Sequence, residues 1–168
     1  MKALKIFASL IVFVLFAVNV NAQDTTMKSG EMSVHDHSMV NSSELKWGDG
    51  PEALPKGIKV AMLAGNPANA GPFTIRIMFP ANYEVRPHWH PTAEHVSVLK
   101  GTLYMGTQEK FSKESTKPLK EGGFAVMPEK LVHFVYTKDP VIVQIHGMGP
   151  FAITYINKED DPRNKSPM

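Results

Sequence analysis

Two histidines and a glutamate lie close together near the middle of the chain, in the stretch His88-Trp89-His90-Pro91-Thr92-Ala93-Glu94. Because side chains alternate along an extended strand, His88 and His90 are predicted to point to the same face. Glu94 comes four residues after His90, beyond a bend led by Pro91. Two imidazoles and one carboxylate that meet at a point are ligands that a divalent transition metal requires. The stretch therefore predicts a metal site.

A third imidazole, that of His133, comes later in the chain, after Gly122-Gly123 and the turn-forming Pro128. Three neutral imidazoles and a carboxylate suit one divalent ion of Mn, Fe, Ni, Cu or Zn, and a six-coordinate ion would keep two positions open. Open positions permit a bound water, dioxygen or a bidentate substrate. Such an ion can act as a Lewis acid, lower the pKa of bound water or carry an electron. Beside these residues the sequence offers no obvious catalytic acid or base.

These two segments resemble the two signature motifs of the cupin family. The first motif is His-x-His, three residues, Glu, six residues and Gly; the second begins with Gly, five residues and Pro, and ends in a histidine. The matching residues are His88, His90, Glu94, Gly101, Gly122, Pro128 and His133. The resemblance covers about residues 47–157. It implies an all-β, double-stranded β-helix (jelly-roll) cupin barrel, with His88, His90, Glu94 and His133 as the metal ligands.

Three positions depart from the cupin pattern. Asn82 stands where the family usually has a glycine six residues before the first histidine, and asparagine also tolerates a turn conformation. Lys130 replaces a glycine two residues after the motif proline, and Thr137 replaces an asparagine four residues after the final histidine. These changes affect turns and supporting positions, so the predicted ligands stay the same.

The hydrophobic pattern independently predicts an all-β sandwich or barrel. Short runs rich in β-forming residues lie at 58–63, 73–79, 94–99, 102–105, 124–127, 132–137, 141–146 and 151–156. Clusters of glycine and proline separate these runs, and no stretch has a sustained helical period. The polar, lysine-rich stretch 107–120 is expected to be an exposed loop.

The ends of the chain differ from this middle part. Residues 1–22 contain Lys2 and Lys5, an apolar run and small residues before Gln23, which is typical of a secretory signal peptide cleaved after Ala22. A membrane anchor is the weaker interpretation, because the apolar run is short for a bilayer. Residues 158–168 form a charged tail that we expect to cap the barrel and then fray.

Residues 23–46 are expected to be a flexible leader. This leader contains His35, His37 and several methionines, which suit weak capture of copper or zinc. We interpret it as a solvated linker and keep metal capture as the alternative.

Composition narrows the class of protein. The chain has 168 residues, enough for one domain with a core, and 18 Lys and Arg against 16 Asp and Glu. Loss of Lys2 and Lys5 with the signal would balance these charges, so nucleic acid is an unexpected partner. The chain has no cysteine, so disulfides, lipid attachment through a thiol and thiolate chemistry are excluded. We expect a periplasmic or secreted protein, free of the membrane once the signal is removed.

Four further residues are candidates for the surroundings of the metal. Gln144 and His146 share one face of their strand, and Arg76 and Tyr104 also lie on predicted strands. If these side chains point inward, they contribute to a second shell or bind substrate, and an inward Arg76 would favour an anionic substrate. A solvated arginine is the more common case, and Gln144 and His146 fit the outer surface equally well.

The sequence leaves the function between two main classes, beside a third hypothesis of a purely structural barrel that binds no metal. One is a metal-dependent enzyme, of oxidoreductase or isomerase type, that acts on a small polar or anionic molecule. In support of this class, the motif His-x-His-Pro-x-Ala-Glu resembles that of secreted manganese cupins with oxalate oxidase or superoxide dismutase activity. The other is a non-catalytic module that binds or senses a metal or small ligand, which the His/Met leader mildly favours.

The apolar strands 141–145 and 151–156 are a candidate homodimer face, by analogy with the fold.

Overall fold

A computed structural model describes residues 39–164 of the chain. The predicted signal peptide and the part of the leader that contains His35 and His37 lie outside the described residues. Within 39–164 the chain has strands and short 3₁₀ turns and no α-helix. No helix in this part is long and apolar enough to cross a membrane.

The strands form two antiparallel sheets. They are β1 (Gly48–Asp49), β2 (Lys59–Ala64), β3 (Gly71–Phe79), β4 (Glu84–Trp89), β5 (Glu94–Lys100), β6 (Thr102–Gly106), β7 (Lys117–Lys120), β8 (Phe124–Met127), β9 (His133–Tyr136), β10 (Val141–Gly149) and β11 (Thr154–Tyr155). One sheet has the order β1-β2-β3-β10-β5-β8, and the other has the order β11-β4-β9-β6-β7. Many neighbours in space are distant in sequence, as in a jelly roll. The predicted fold class is confirmed.

Alternation along the strands builds the core between the two sheets. In β3, Phe73, Ile75, Ile77 and Phe79 are buried, whereas the residues between them are at least partly exposed. The next strand, β10, places Val143 opposite Ile77 in the register. Burial contributes about 1.5–3 kcal/mol for each such side chain, which holds this face of the strand against the core.

The structure corrects the prediction for the lysine-rich stretch 107–120. This stretch contains a 3₁₀ turn, Lys113–Ser115, and strand β7 at the edge of the five-stranded sheet. Leu119 pairs with Leu103 of β6 and packs against the core. Lysine and proline are common on edge strands because they discourage pairing with another chain, and this composition conceals the strand in the sequence.

A tight turn precedes β4 and depends on the departure at Asn82. The residue has a φ of 56°, a left-handed conformation that asparagine tolerates better than most residues. Thr137 closes the turn, since its hydroxyl accepts a hydrogen bond from the Tyr83 N–H at 3.1 Å and donates one to the Pro80 carbonyl at 2.7 Å. Thr137 is 2% exposed, so its hydroxyl, rather than water, provides the hydrogen-bond partner for these two main-chain groups.

We expect Thr137→Val to lower the free energy of unfolding by about 1–3 kcal/mol, because valine keeps the shape and leaves the Tyr83 N–H without its partner. Urea denaturation measures this change. Thr137→Ser is the matched control, since it keeps the hydroxyl and should lose less. A valine variant as stable as the wild type would contradict the assigned role.

Candidate metal centre

Three strands and one connection bring the candidate ligands together. His88 belongs to β4 and lies opposite His133, the first residue of β9, in the register of the five-stranded sheet. Glu94 is the first residue of β5, in the six-stranded sheet. His90 lies in the connection between β4 and β5. The cluster therefore joins both sheets.

The four side chains are buried and close to one another. His88, His90, Glu94 and His133 are 4%, 6%, 6% and 2% exposed. One ring nitrogen from each of the three histidines lies within 4.8 Å of the others. An oxygen of Glu94, Oε2, lies 3.3 Å from His133 Nε2 and 3.9 Å from His90 Nε2. The structure thus brings together all four residues that the motifs single out.

Main-chain carbonyls orient all three imidazoles in the same way. The Nδ1–H groups of His88, His90 and His133 donate to the carbonyls of Arg86 at 2.7 Å, Ala152 at 2.7 Å and Leu131 at 3.0 Å. A carbonyl oxygen only accepts, so each Nδ1 must carry a proton. In the neutral ring this leaves the lone pair on Nε2, which is the atom that ligates a metal.

The environment of His90 includes contacts that its own sequence neighbourhood does not reveal. Its ring stacks on Phe151, with centroids 4.2 Å apart, and its backbone carbonyl accepts a hydrogen bond from the Lys130 N–H at 2.9 Å. Lys130 adopts a φ of 60°, which explains why a glycine suits this position in the motif. Sequence reasoning missed Phe151 and Ala152 because no local period connects them with residue 90.

Burial and mutual contact shift the titration of the cluster. Burial lowers the pKa of His88 well below the usual range, with further lowering by the charges of His133 and His90. Burial also lowers the pKa of His90. For His133, burial lowers the pKa, but hydrogen bonding and attraction to Glu94 outweigh it and raise the pKa overall. Burial raises the pKa of Glu94, and the hydrogen bond to His133 with the charges of His90 and His133 reverses this and lowers it.

This donor set fits a divalent transition metal. At neutral pH the cluster offers an ionised carboxylate and at least two neutral imidazoles whose lone pairs face the same point. A cation at this point would accept the lone pairs of the neutral imidazoles and balance the charge of the carboxylate. Imidazole and carboxylate ligands suit Zn, Fe, Mn, Ni and Cu, and the arrangement itself does not distinguish among them.

The cluster lines a cavity of about 600 Å³ between the two sheets. Its other walls include Ile77 and Phe79 of β3 and Val143 and Ile145 of β10. Leu103 and Met105 of β6 face it from the second sheet. The candidate ligands thus lie in the wall of a largely apolar cavity, which is the usual form of a small-molecule site.

Gln144, His146, Arg76 and Tyr104 are not among the residues that line this cavity, which favours the outer-surface alternative that the sequence left open for them. Arg76 Nε donates to Gln144 Oε1 at 3.0 Å, and Gln144 Nε2 lies 3.1 Å from His146 Nε2. Their strand neighbours Ile75, Ile77, Val143 and Ile145 line the cavity, so alternation turns these three side chains to the outer face.

Tyr104 faces outward for the same reason, because its neighbours Leu103 and Met105 line the cavity. Its ring stacks on Tyr136 at 4.6 Å, and Lys138 Nζ lies 4.8 Å from its centroid. These contacts stabilise the outer surface of the five-stranded sheet.

The sequence is similar to known cupin proteins. A family model described as the ChrR cupin-like domain matches residues 35–151. Germin-like protein 8-10 of Oryza sativa subsp. japonica is 38% identical over 79 residues, which are 42% of this chain and 35% of the rice protein. This chain therefore matches about a third of the length of such curated relatives.

Two solved structures are similar in fold. The polyketide cyclase RemF from Streptomyces resistomycificus superposes with a TM-score of 0.63 at 15% identity, over 75% of this chain and 89% of that chain. An acetylacetone dioxygenase from Acinetobacter johnsonii superposes with a TM-score of 0.57 at 15% identity, over 77% of this chain and 83% of that chain.

We expect His88 and His90 of the metal-free protein to be neutral at pH 7 and to carry the proton on Nδ1, because burial opposes their charge and carbonyls accept from Nδ1. Long-range ¹H–¹⁵N correlation spectra report the protonated nitrogen. His88→Ala and His90→Ala assign the signals, and the exposed His95 is the internal reference. A proton on Nε2 of either ring would contradict the geometry.

Proposed function

The chain belongs to the ChrR cupin-like domain family, and we propose that it is an exported, metal-dependent enzyme that acts on a small organic molecule. The proposed ligands of one divalent transition metal are His88, His90, Glu94 and His133. One observation carries the proposal: three imidazoles oriented by main-chain carbonyls and one carboxylate converge on a point in the wall of a cavity. Oxidoreductase or isomerase chemistry is the type that we infer.

The metal, when bound, would supply Lewis acidity or an exchangeable electron. The chain's own part is to hold the ligands and to exclude water. His88 and His133 come from paired strands, so their separation is set by the sheet, and Phe151 fixes the plane of the His90 ring. The negative charge of Glu94 favours a cation over a neutral ligand at the same point. The polar group of the substrate would meet this cluster, since the cavity walls elsewhere are largely apolar.

A non-catalytic binding module is the second candidate. It is favoured by the scarcity of proton-transfer groups, because Asp49 and Arg163 are the charged residues outside the cluster that line the cavity within residues 39–164. Both are already paired, Asp49 with Lys59 at 2.7 Å and Arg163 with Asp161 at 2.7 Å. An enzyme of this kind would therefore depend on the metal for most of its chemistry.

The proposed export of the protein is a separate point and rests on residues 1–22. A basic start, an apolar run and small residues before Gln23 support secretion through the inner membrane. The expected mature N-terminus is Gln23, which mass spectrometry of the protein from the periplasm or medium would identify. Intact protein that stays in the cytoplasm would contradict export.

We expect the wild type to bind about one transition metal ion per chain, and His90→Ala to bind less than about a tenth of that, because a lost imidazole leaves the remaining donors incomplete. Elemental analysis of the purified proteins measures the ratio. His95→Ala is the matched control, since His95 is exposed on the outer face of β5. Equal metal content in the wild type and His90→Ala would contradict the proposed ligand set.

Deletion of residues 23–38 separates the two candidate functions. We expect the shortened protein to keep its metal content and its activity, because all four proposed ligands lie between residues 88 and 133. Metal content and oxygen consumption with small ketones and carboxylates are the measurements. A loss of metal capacity, with no activity in either form, would favour the binding module.

A further inference from the structure

The cavity is larger than the cluster of proposed ligands needs. Its volume of about 600 Å³ lies in the range that accommodates a drug-sized molecule, whereas a metal ion with bound waters fills a small part of it. The remaining space lies between the two sheets and therefore has the chemistry of their inner faces.

Those inner faces are apolar on both sides. Ile75, Ile77 and Phe79 of β3 and Val143 and Ile145 of β10 form one wall, and Leu103 and Met105 of β6 contribute to the other. Each of these side chains is also part of the hydrophobic core. A ligand group in this space makes dispersion contacts and gains no hydrogen bonds from these walls.

The charged groups at the lining are ill suited to hold a second polar group. Asp49 is paired with Lys59 and its side chain is 89% exposed. Arg163 is held by Asp161, and one of its nitrogens also donates to the Ile153 carbonyl at 3.2 Å. Both charged groups already have a partner of opposite charge. Asn66 is a further polar residue at the lining, and its Oδ1 accepts a hydrogen bond from the Ala68 N–H at 2.9 Å. Among residues 39–164, the polar side chains that are both buried and part of the lining are those of the histidine and glutamate cluster, so polar recognition inside the cavity is concentrated there.

We propose that the ligand of this site is a molecule with one oxygen-bearing, metal-binding head and an apolar body that extends between the sheets. This inference rests on the proposed function and adds the substrate class to it. A dicarboxylate or a sugar has polar groups at every end, and it would leave some of them against aliphatic walls without partners, which is costly. A molecule with hydrocarbon beyond its head gains free energy by leaving water.

A series of ligands with a constant head tests the proposal. Acetylacetone and benzoylacetone share a β-diketone head, and benzoylacetone has a phenyl group in place of one methyl group. Malonate and phenylmalonate form a second pair, in which a phenyl group replaces a hydrogen. Isothermal titration calorimetry on Zn(II)-loaded wild-type protein measures their affinities, and free Zn(II) in the same buffer gives the contribution of the head. We expect the phenyl group to raise affinity for the protein at least ten-fold beyond its effect on free Zn(II).

Two matched variants locate the body of the ligand. Val143→Phe fills the cavity from β10, and we expect it to abolish the gain from the phenyl group while it still binds one Zn(II) and acetylacetone. Ile142→Phe adds the same ring on the outer face of the same strand and should retain the gain. A gain that persists in Val143→Phe would overturn the assignment of the body to this space.

Different results would contradict the proposed ligand class and the proposed metal site. Wild-type protein that binds one metal ion but shows no phenyl gain, or prefers malonate to both diketones, overturns the inference and leaves the metal site intact. Protein that takes up no metal overturns the proposed function. Because the ligand series uses the wild type, misfolding of a variant cannot explain either result.

Discussion

The meeting of three imidazoles and a carboxylate inside an apolar barrel is the interaction on which the rest of the structure depends. Polar groups in such a place lose their contacts with water, and the protein must provide others. It does so with main-chain carbonyls on the outer nitrogen of each histidine and with the Glu94 carboxylate near the inner nitrogens of two of them. The inner ring nitrogens and the carboxylate converge on one point, and a cation is the natural partner for such a set of donors.

This arrangement requires both sheets at once. His88 and His133 are adjacent because β4 pairs with β9, and Glu94 approaches them from a strand of the opposite sheet. The short connection through His90 crosses between the sheets and is held by contacts from residues 130 and 151–152. A change in how the sheets pack would therefore move the carboxylate relative to the imidazoles. The packing of the two sheets therefore determines both the stability of the fold and the geometry of the site.

The alternation of strand side chains also separates the inside of the molecule from its outer face. Arg76, Gln144 and His146 form a hydrogen-bonded row on the outside of the six-stranded sheet, and Arg76 additionally donates to Ser42 at 3.3 Å. This row connects the chain before β1 to the sheet. Because the polar row is outside, the interior next to the cluster stays apolar, and the charge of Arg76 contributes nothing to the cavity.

The sequence by itself determined the kinds of residue at the site and the class of fold. Spacing along the chain places His88 and His90 on one face of a strand, and the resemblance to the cupin motifs joins Glu94 and His133 to them as ligands. Asn82 was recognisable as a turn residue from the conformational freedom of asparagine, and it has a positive φ in the structure. Edge strand β7 was missed because its lysines and proline look like a loop.

The tertiary structure alone decided which face of each strand turned inward, which carbonyls oriented the imidazoles, and how much apolar space lies beside them. The sequence left Gln144, His146 and Arg76 open between inside and outside, since a period of two gives two faces without saying which is buried. The physical reason is that the alternation of side chains is a local property of one strand, whereas burial of a face depends on what packs against it. Distances between β4, β5, β9 and the segment 151–152 arise from the pairing of parts of the chain that are far apart in sequence.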